Sequence, residues 1–478
     1  MMQNIFYKKL LENFGFEPTK NQLAVIGELT DFVFLKIQKH LFVLKGYAGT
    51  GKTSLVGALV KTLPTINFDS VLLAPTGRAA KVLSNYAGKP AFTIHKMIYQ
   101  LQSGGDGYTR FVIKQNKFQN TIFLVDEASM IGDGGALSSR NWGESKSLLD
   151  DLLEFVFDGV NCKLVLIGDT AQLPPVGMEL SPALDEDFLF ASYHLNIEFN
   201  ELSEVVRQAE DSEILTNATY LRGKISLKNN DFPLFKSVNR ADVKTITGLE
   251  LEDELSDAYG KFGDDNVMLI TRSNKRANLF NLQIRARIKW LEDEIASGDY
   301  LMVVKNNYFW LTDDSKAGFI ANGDIVEIQK ITGYEEMYGF RFANIQVRMI
   351  DYPNELDLEV KILLDSILSE SPSLPSDKFK ELYEAVSEDY GYEPNRKKRN
   401  ELIRNNPYYQ ALQVKFAYAI TCHKSQGGQW GAVFVDQGYI TDEMINVEYL
   451  RWLYTAITRA KKELYLVNFN QKFYGGEE

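Results

Sequence analysis

The stretch from Phe42 to Val60, FVLKGYAGTGKTSLVGALV, restricts what this chain can fold into more than any other. Its apolar lead, Leu41 to Leu44, reads as a buried strand. That strand runs into Gly46-Tyr47-Ala48-Gly49-Thr50-Gly51-Lys52-Thr53, which meets the Walker A spacing at every fixed position. The glycines let backbone N–H groups converge on phosphate oxygens where side chains would block the approach. Lys52 brings a point charge to the β- and γ-phosphates, and the Thr53 hydroxyl is a ligand for Mg²⁺. Ser54 to Leu63 has helix-forming composition, which puts the phosphates at a helix N-terminus. The competing reading, a Gly-rich turn between core elements, has to treat every matched position as chance. A nucleoside triphosphate site is the expectation.

Three further apolar runs end in polar or Gly-rich residues. Val71–Ala74 ends in Pro75-Thr76-Gly77-Arg78-Ala79-Ala80, Thr121–Val125 in Asp126-Glu127-Ala128-Ser129, and Lys163–Ile167 in Gly168-Asp169-Thr170-Ala171-Gln172-Leu173-Pro174-Pro175. Such strands separated by helical stretches predict a parallel α/β sheet with its ligand at the carboxyl ends. An Asp-Glu pair after a strand suits Mg²⁺-dependent hydrolysis, one carboxylate for the metal and the next for the attacking water. A second α/β unit opens at Val267–Thr271, followed by the basic helix Asn274 to Trp290. From about 296 to 407 short β-rich pieces take over, such as Ile325–Ile328 and Ile345–Met349, and 414–421 returns to an apolar pattern. The segment 296–407 is therefore read as an insertion in the second unit.

At 478 residues the chain needs several domains. No apolar run reaches the roughly 18 residues of a membrane span, and the N-terminus MMQNIFYKKLLENFG has no signal-peptide pattern. Cys162 and Cys422 give neither metal spacing nor a disulfide framework. A cytoplasmic protein without a membrane partner is expected. The net charge of −12 argues against holding nucleic acid by bulk charge, although a local basic channel stays open. Lys275, Arg276, Arg285, Arg287 and Lys289 form one cluster and Arg396 to Arg399 another; each is read either as a solvated helix face or as a groove. Gln22 has two open roles. It can complete a capping box with Thr19, or its amide can read an adenine edge.

Taken in order, the motifs resemble a superfamily 1 helicase of the B subgroup, similar to the RecD-like and phage Dda-like enzymes. They are GYAGTGKT at 46–53, APTGRAA at 74–80, TIHKM at 93–97, VDEAS at 125–129, GDTAQLPPVG at 168–177, VVRQ at 205–208, ITCHKSQGGQW at 420–430 and YTAITRAKKELYLV at 454–467. The resemblance implies an α/β fold of two RecA-like domains. The first would be 1–197, with a small insertion at about 96–120. The second would be 198–295 with 408–478, interrupted by an SH3-like domain at 296–407. It implies an ATP hydrolase acting on single-stranded, duplex and forked DNA with ATP and Mg²⁺, translocating 5′ to 3′.

The site residues carry over one by one. Gly46, Ala48, Gly49, Thr50, Gly51, Lys52, Thr53 and Ser54 would hold the phosphates, with Gln22 and Gln429 at the base and sugar. Thr53 and Asp126 would hold Mg²⁺, Glu127 the catalytic water, and Gln172 would sense the γ-phosphate. Arg207 and Arg459 would reach across as cationic fingers. Thr76, Arg78, His95, Thr271, Asn274, His423 and Ser425 would touch single-stranded DNA. After HKSQG many relatives place a small and then an acidic residue on the ribose; here Gly428-Gln429-Trp430 follows, which leaves sugar discrimination open.

Between His95 and Thr121, two strand-like runs flank Ser103-Gly104-Gly105-Asp106-Gly107, the pattern of a β-hairpin. Its place matches a strand-separating wedge, with Tyr108 and Phe111 as stacking candidates; the alternative is a plain connection. Two rivals to the helicase reading stand: an NTP-driven module that does not unwind, and an RNA helicase of the same superfamily.

Overall fold

A computed structural model describes residues 1–474 except 104–108, 133–146, 207–211, 230, 237, 241, 312–314, 316–318 and 353–354, and gives only the backbone of 101–103 and 109–111. The apolar runs become strands because each can bury both faces. Leu41, Phe42, Val43 and Leu44 are all buried. So are Leu72 to Ala74, Ile122 to Val125 and Leu164 to Ile167. These strands form a six-stranded sheet in the order Ala91–Thr93, Asp69–Ala74, Thr121–Val125, Lys163–Gly168, His40–Gly46, Asn196–Leu202. Every pairing in it is parallel. Helices fill both faces, one around Phe32, Phe42 and Leu59 and the other around Phe123, Leu152 and Leu166. All four expected strand ends lie on one edge, where the Walker loop also sits.

The second sheet is parallel as well, in the order Ala419–Thr421, Val267–Thr271, Trp430–Asp436, Ala460–Val467, Val243–Ile246. The two parallel sheets, each covered by helices, are the RecA-like pair. Inserted in the second unit, between its strands Val267–Thr271 and Ala419–Thr421, is a closed five-stranded barrel of Tyr300–Val303, Ile325–Met337, Phe340–Met349, Leu358–Leu363 and Leu412–Phe416. It is the β-rich insertion. Its last strand lies beyond residue 407, so the barrel reaches further along the chain than the β-rich texture indicates. Two helices, Ser376–Asp389 and Arg396–Arg404, pack Leu382, Val386 and Ile403 onto Phe342 and Leu363 of the barrel. Tyr99–Ser103 and Thr109–Ile113 pair antiparallel as a two-stranded hairpin inserted in the first domain. No helix among the described residues is long and apolar enough to cross a membrane.

Candidate active site

The Walker loop leaves its strand at Gly46 and enters the helix Lys52–Thr62 through Gly51, whose φ of 86° falls in the left-handed region. A Cβ there would meet the Gln22 Nε2 at 2.7 Å, so side chain and chirality both demand glycine. Lys52 Nζ donates to the carbonyls of Gly46 at 2.6 Å and Tyr47 at 2.8 Å. Thr50 is buried and its hydroxyl donates to Tyr47 O at 2.8 Å, fixing the turn. Thr53 and Ser54 are half-buried in the first turn of the helix.

Gln22 takes on the structural role and adds a second contact. It completes the capping box with Thr19, its Oε1 accepting from Thr19 N at 2.9 Å. Its Nε2 donates to Thr50 O at 2.9 Å, which ties the N-terminal helix to the phosphate loop. Both amide groups are thus engaged by protein.

Asp126 and Glu127 stand at the end of their strand, half-buried beside Lys52. Burial raises both carboxyls above their ordinary values; the Glu127 N–H and Lys52 oppose the rise at Asp126. For Glu127 the chief opposition is the Arg459 guanidinium, while Asp126 and Asp169 push it further up. Glu127 also holds φ 54°, a left-handed conformation that a non-glycine residue keeps only where its surroundings impose it.

Arg459 comes from the second domain, just after the helix Val447–Ile457, and is 3 % exposed. It donates to Thr455 O at 3.0 Å, Gly428 O at 3.4 Å and the Thr458 hydroxyl at 3.2 Å. Gln172 is buried, and its Oε1 has no hydrogen-bond partner among the described residues. Arg207 lies outside the described residues, but the neighbouring Val206 N–H donates to Gly49 O at 3.1 Å.

A phosphate-bearing ligand fits these residues. The loop offers a helix N-terminus, Gln172 carries an unpaired buried acceptor, and cations stand on both sides of the carboxylate pair. Among the described residues no group of three or more His, Cys, Asp or Glu could hold a metal by itself. Mg²⁺ would therefore rest on Asp126, Thr53 and the phosphates, its usual arrangement at nucleotides.

The expected DNA-contact residues separate into two groups. Thr76 caps the helix Gly77–Ala87 by accepting from Ala79 N at 3.2 Å, Asn274 opens the helix Asn274–Gln283, and His423 is exposed. His95 is half-buried, 5.6 Å from the Tyr99 ring. Thr271 and Ser425, by contrast, are fully buried. Their hydroxyls donate to Ser273 O at 3.0 Å and Cys422 O at 2.7 Å, so in this structure they tie down loops. Arg78 lies 4.2 Å from the centre of the Trp430 ring across the domain boundary. Gly428 makes that stack possible, because a Cβ there would meet Trp430 at 2.5 Å and Arg78 Nε at 2.9 Å. Gln429 is half-buried next to it. Tyr108 lies outside the described residues, as does the side chain of Phe111.

The basic helix is not an open groove. Arg276 grips Asp436 at 2.5 and 2.7 Å, Arg285 grips Asp299 at 2.7 and 2.9 Å, and Arg287 reaches Glu252 at 3.4 Å. Lys289 pairs with Asp264, and Lys275 lies 3.7 Å from Glu370. Two other cations, which the sequence did not single out, come together near this helix. Lys415 and Lys424 line a cleft with Asn274, Asn278 and Thr421, and neither is in an ion pair among the described residues. Burial brings each down to about 8, and at Lys424 the charge of Lys415 adds to it. Lys424 sat within a matched motif and so had a signal; Lys415 had none.

Fold and site together define a P-loop nucleoside triphosphatase built on two RecA-like domains. Comparison with known proteins gives the lineage. Residues 33–231 match the AAA domain family and 416–467 the UvrD-like helicase C-terminal domain. The chain is 34 % identical to the ATP-dependent RecD2 DNA helicase of Deinococcus radiodurans, over 89 % of this chain and 46 % of that protein. It is 27 % identical to the ATP-dependent DNA helicase dda of Enterobacteria phage T4, over 56 % of this chain and 57 % of that one. Against the RecBCD enzyme subunit RecD of Buchnera aphidicola the identity is 21 %, over 99 % and 75 %. The chain thus spans about half the length of the RecD2 and Dda relatives. The matches are thus to ATP-driven DNA helicases, and they agree with the resemblance to the B subgroup of superfamily 1 that the motifs carry.

Proposed function

We propose that this chain is an ATP-dependent DNA helicase that hydrolyses ATP between its RecA-like domains and moves 5′ to 3′ along single-stranded DNA. The observation that carries the reading is Arg459. A buried guanidinium from the second domain opposes the rise in the Glu127 carboxyl of the first, so the two domains build one site. Lys52 and the loop N–H groups bind the phosphates, Glu127 orients and deprotonates the attacking water, and Gln172 stands toward the γ-phosphate. Arg459, with Arg207, meets charge that develops on the transferring phosphoryl group. Bound Mg²⁺ supplies charge neutralisation at the phosphates. Because opposite walls of the site belong to different domains, nucleotide binding favours closure and hydrolysis releases it.

DNA fits along the ends of both sheets, past Thr76, Asn274, His423 and the Lys415–Lys424 cleft. ATPase measured with single-stranded DNA, single-stranded RNA or no nucleic acid tests this. Strong stimulation by DNA alone is expected. Equal stimulation by RNA favours the RNA helicase, and no stimulation by either sinks the translocase reading.

A further inference from the structure

The loop that carries Gln172 belongs to the first domain, yet it is gripped by the second. Ala171 and Leu173, 1 % and 2 % exposed, sit in the apolar core of the second domain beside Leu453 and Tyr454. Three residues on one face of the helix Val447–Ile457 hold the loop's polar groups. Arg451 donates to the carbonyls of Thr170 and Gln172. The Thr455 hydroxyl accepts from Leu173 N at 2.8 Å. Tyr454 makes the central contact: its hydroxyl donates to Asp169 Oδ2 at 2.6 Å and accepts from Ala48 N of the Walker loop at 2.9 Å.

We infer that Tyr454 is a positioning residue that transmits nucleotide state from the Walker loop to the second domain, acting through Asp169 and the loop 169–173. One hydroxyl joins the phosphate loop, the Gln172 loop and the helix that leads to Arg459. Asp169 is 1 % exposed, and its other oxygen already accepts from Ala171 N at 2.9 Å. Without the tyrosine hydroxyl its second oxygen loses its partner inside the protein, which is costly for a buried carboxylate. Arg451 and Thr455 hold the loop to the helix, while Tyr454 alone of the three also joins it to the Walker loop. Gln172 Oε1, unpartnered on this clamped loop, is the group that such positioning directs. The backbone of Gln172 is held and its acceptor is left free for the site. Any displacement of the Walker loop at Ala48 then shifts the helix that also places Arg459.

This inference rests on the proposed function, and the test separates the two. Linkage requires that a non-hydrolysable ATP analogue and single-stranded DNA change each other's affinity by one common factor. That factor is measured on the full chain by titrating a fluorescent oligonucleotide with and without the analogue. Tyr454→Phe keeps the ring and removes the hydroxyl; Thr455→Ser keeps its hydroxyl and serves as the conservative control. Thermal unfolding establishes that both variants are folded. A wild-type factor well above one that falls at least fivefold in Tyr454→Phe and survives in Thr455→Ser supports the inference. The same factor in wild type and Tyr454→Phe overturns it while leaving the helicase reading intact. A wild-type protein that does not bind single-stranded DNA overturns both.

Discussion

Replacing Arg459 by alanine removes a buried charge whose field acts on the Glu127 carboxyl of the other domain. In the structure its guanidinium is 3 % exposed and, among the described residues, is bonded to Thr455, Gly428 and Thr458 and to no carboxylate. Its positive charge is thus free to act on whatever occupies the cleft. Cations in this role are worth about 10³–10⁵ in turnover in related phosphoryl-transfer systems. The lower figure corresponds to about 4 kcal/mol of transition-state stabilisation. The ground-state phosphates keep Lys52 and the loop N–H groups, so the KM for ATP should change by no more than about threefold.

The Thr455 carbonyl keeps the Thr458 hydroxyl at 3.0 Å, but leaving the Gly428 carbonyl without this donor costs about 1–3 kcal/mol of stability, so thermal unfolding accompanies the kinetics. A second signature follows from Glu127. Arg459 opposes the burial that raises this carboxyl, so its loss raises the carboxyl further. With Glu127 as the proposed base the ionised form is the active one, hence the variant should lose rate at a higher pH than wild type on acidification. Steady-state ATPase at saturating single-stranded DNA, from pH 5.5 to 8.5, reads both effects. Unchanged turnover at saturating ATP with weakened binding would refute the finger assignment. An acid limb that does not move would refute its coupling to Glu127.

Lys52→Ala should abolish hydrolysis while leaving the unfolding temperature within a few degrees, because its present bonds are to two carbonyls of its own loop; retention of ATPase within about threefold would displace the phosphate site. Asp324, on the barrel turn against Gly77, is 2 % exposed, and burial lifts its carboxyl to about 7. Between the unfolded value near 4 and this raised value the folded state holds the extra proton, so the contribution of Asp324 to stability falls as pH rises from about 4 to 7. Asp324→Asn keeps an acceptor for Ala321 N and should flatten that part of the curve; unfolding temperatures that track wild type at every pH would contradict it. In the hairpin, Tyr108→Ala and Phe111→Ala should reduce unwinding with DNA-stimulated ATPase unchanged, and a joint loss of both activities would remove the wedge role.

The nucleotide half of the site was legible because its chemistry is local. The Walker loop, the Asp126-Glu127 pair and the Thr19–Gln22 capping box each lie within a few residues, and each was realised as a contiguous piece. The strand Leu412–Phe416 was harder to place. All five of its residues are buried, so it looks like a parallel-sheet strand although it closes the barrel. The cluster from Lys275 to Lys289 showed its charge in sequence, but not the carboxylates at 252, 264, 299, 370 and 436 that neutralise it. Lys415 acquires meaning only from what its neighbours lack. Tyr454 was inside a matched motif, yet its partners Ala48 and Asp169 are 406 and 285 residues away, a contact that only the packing of two domains creates.

Unwinding of a short duplex with a single-stranded tail on one side only tests the central claim most directly. With ATP and Mg²⁺ present, closure and opening of the cleft around Arg459 should drive strand separation from the 5′-tailed substrate. The 3′-tailed and blunt substrates should remain paired, and Lys52→Ala should unwind none. Preferential unwinding from the 3′ tail, or ATP-independent separation of either substrate, would contradict the account.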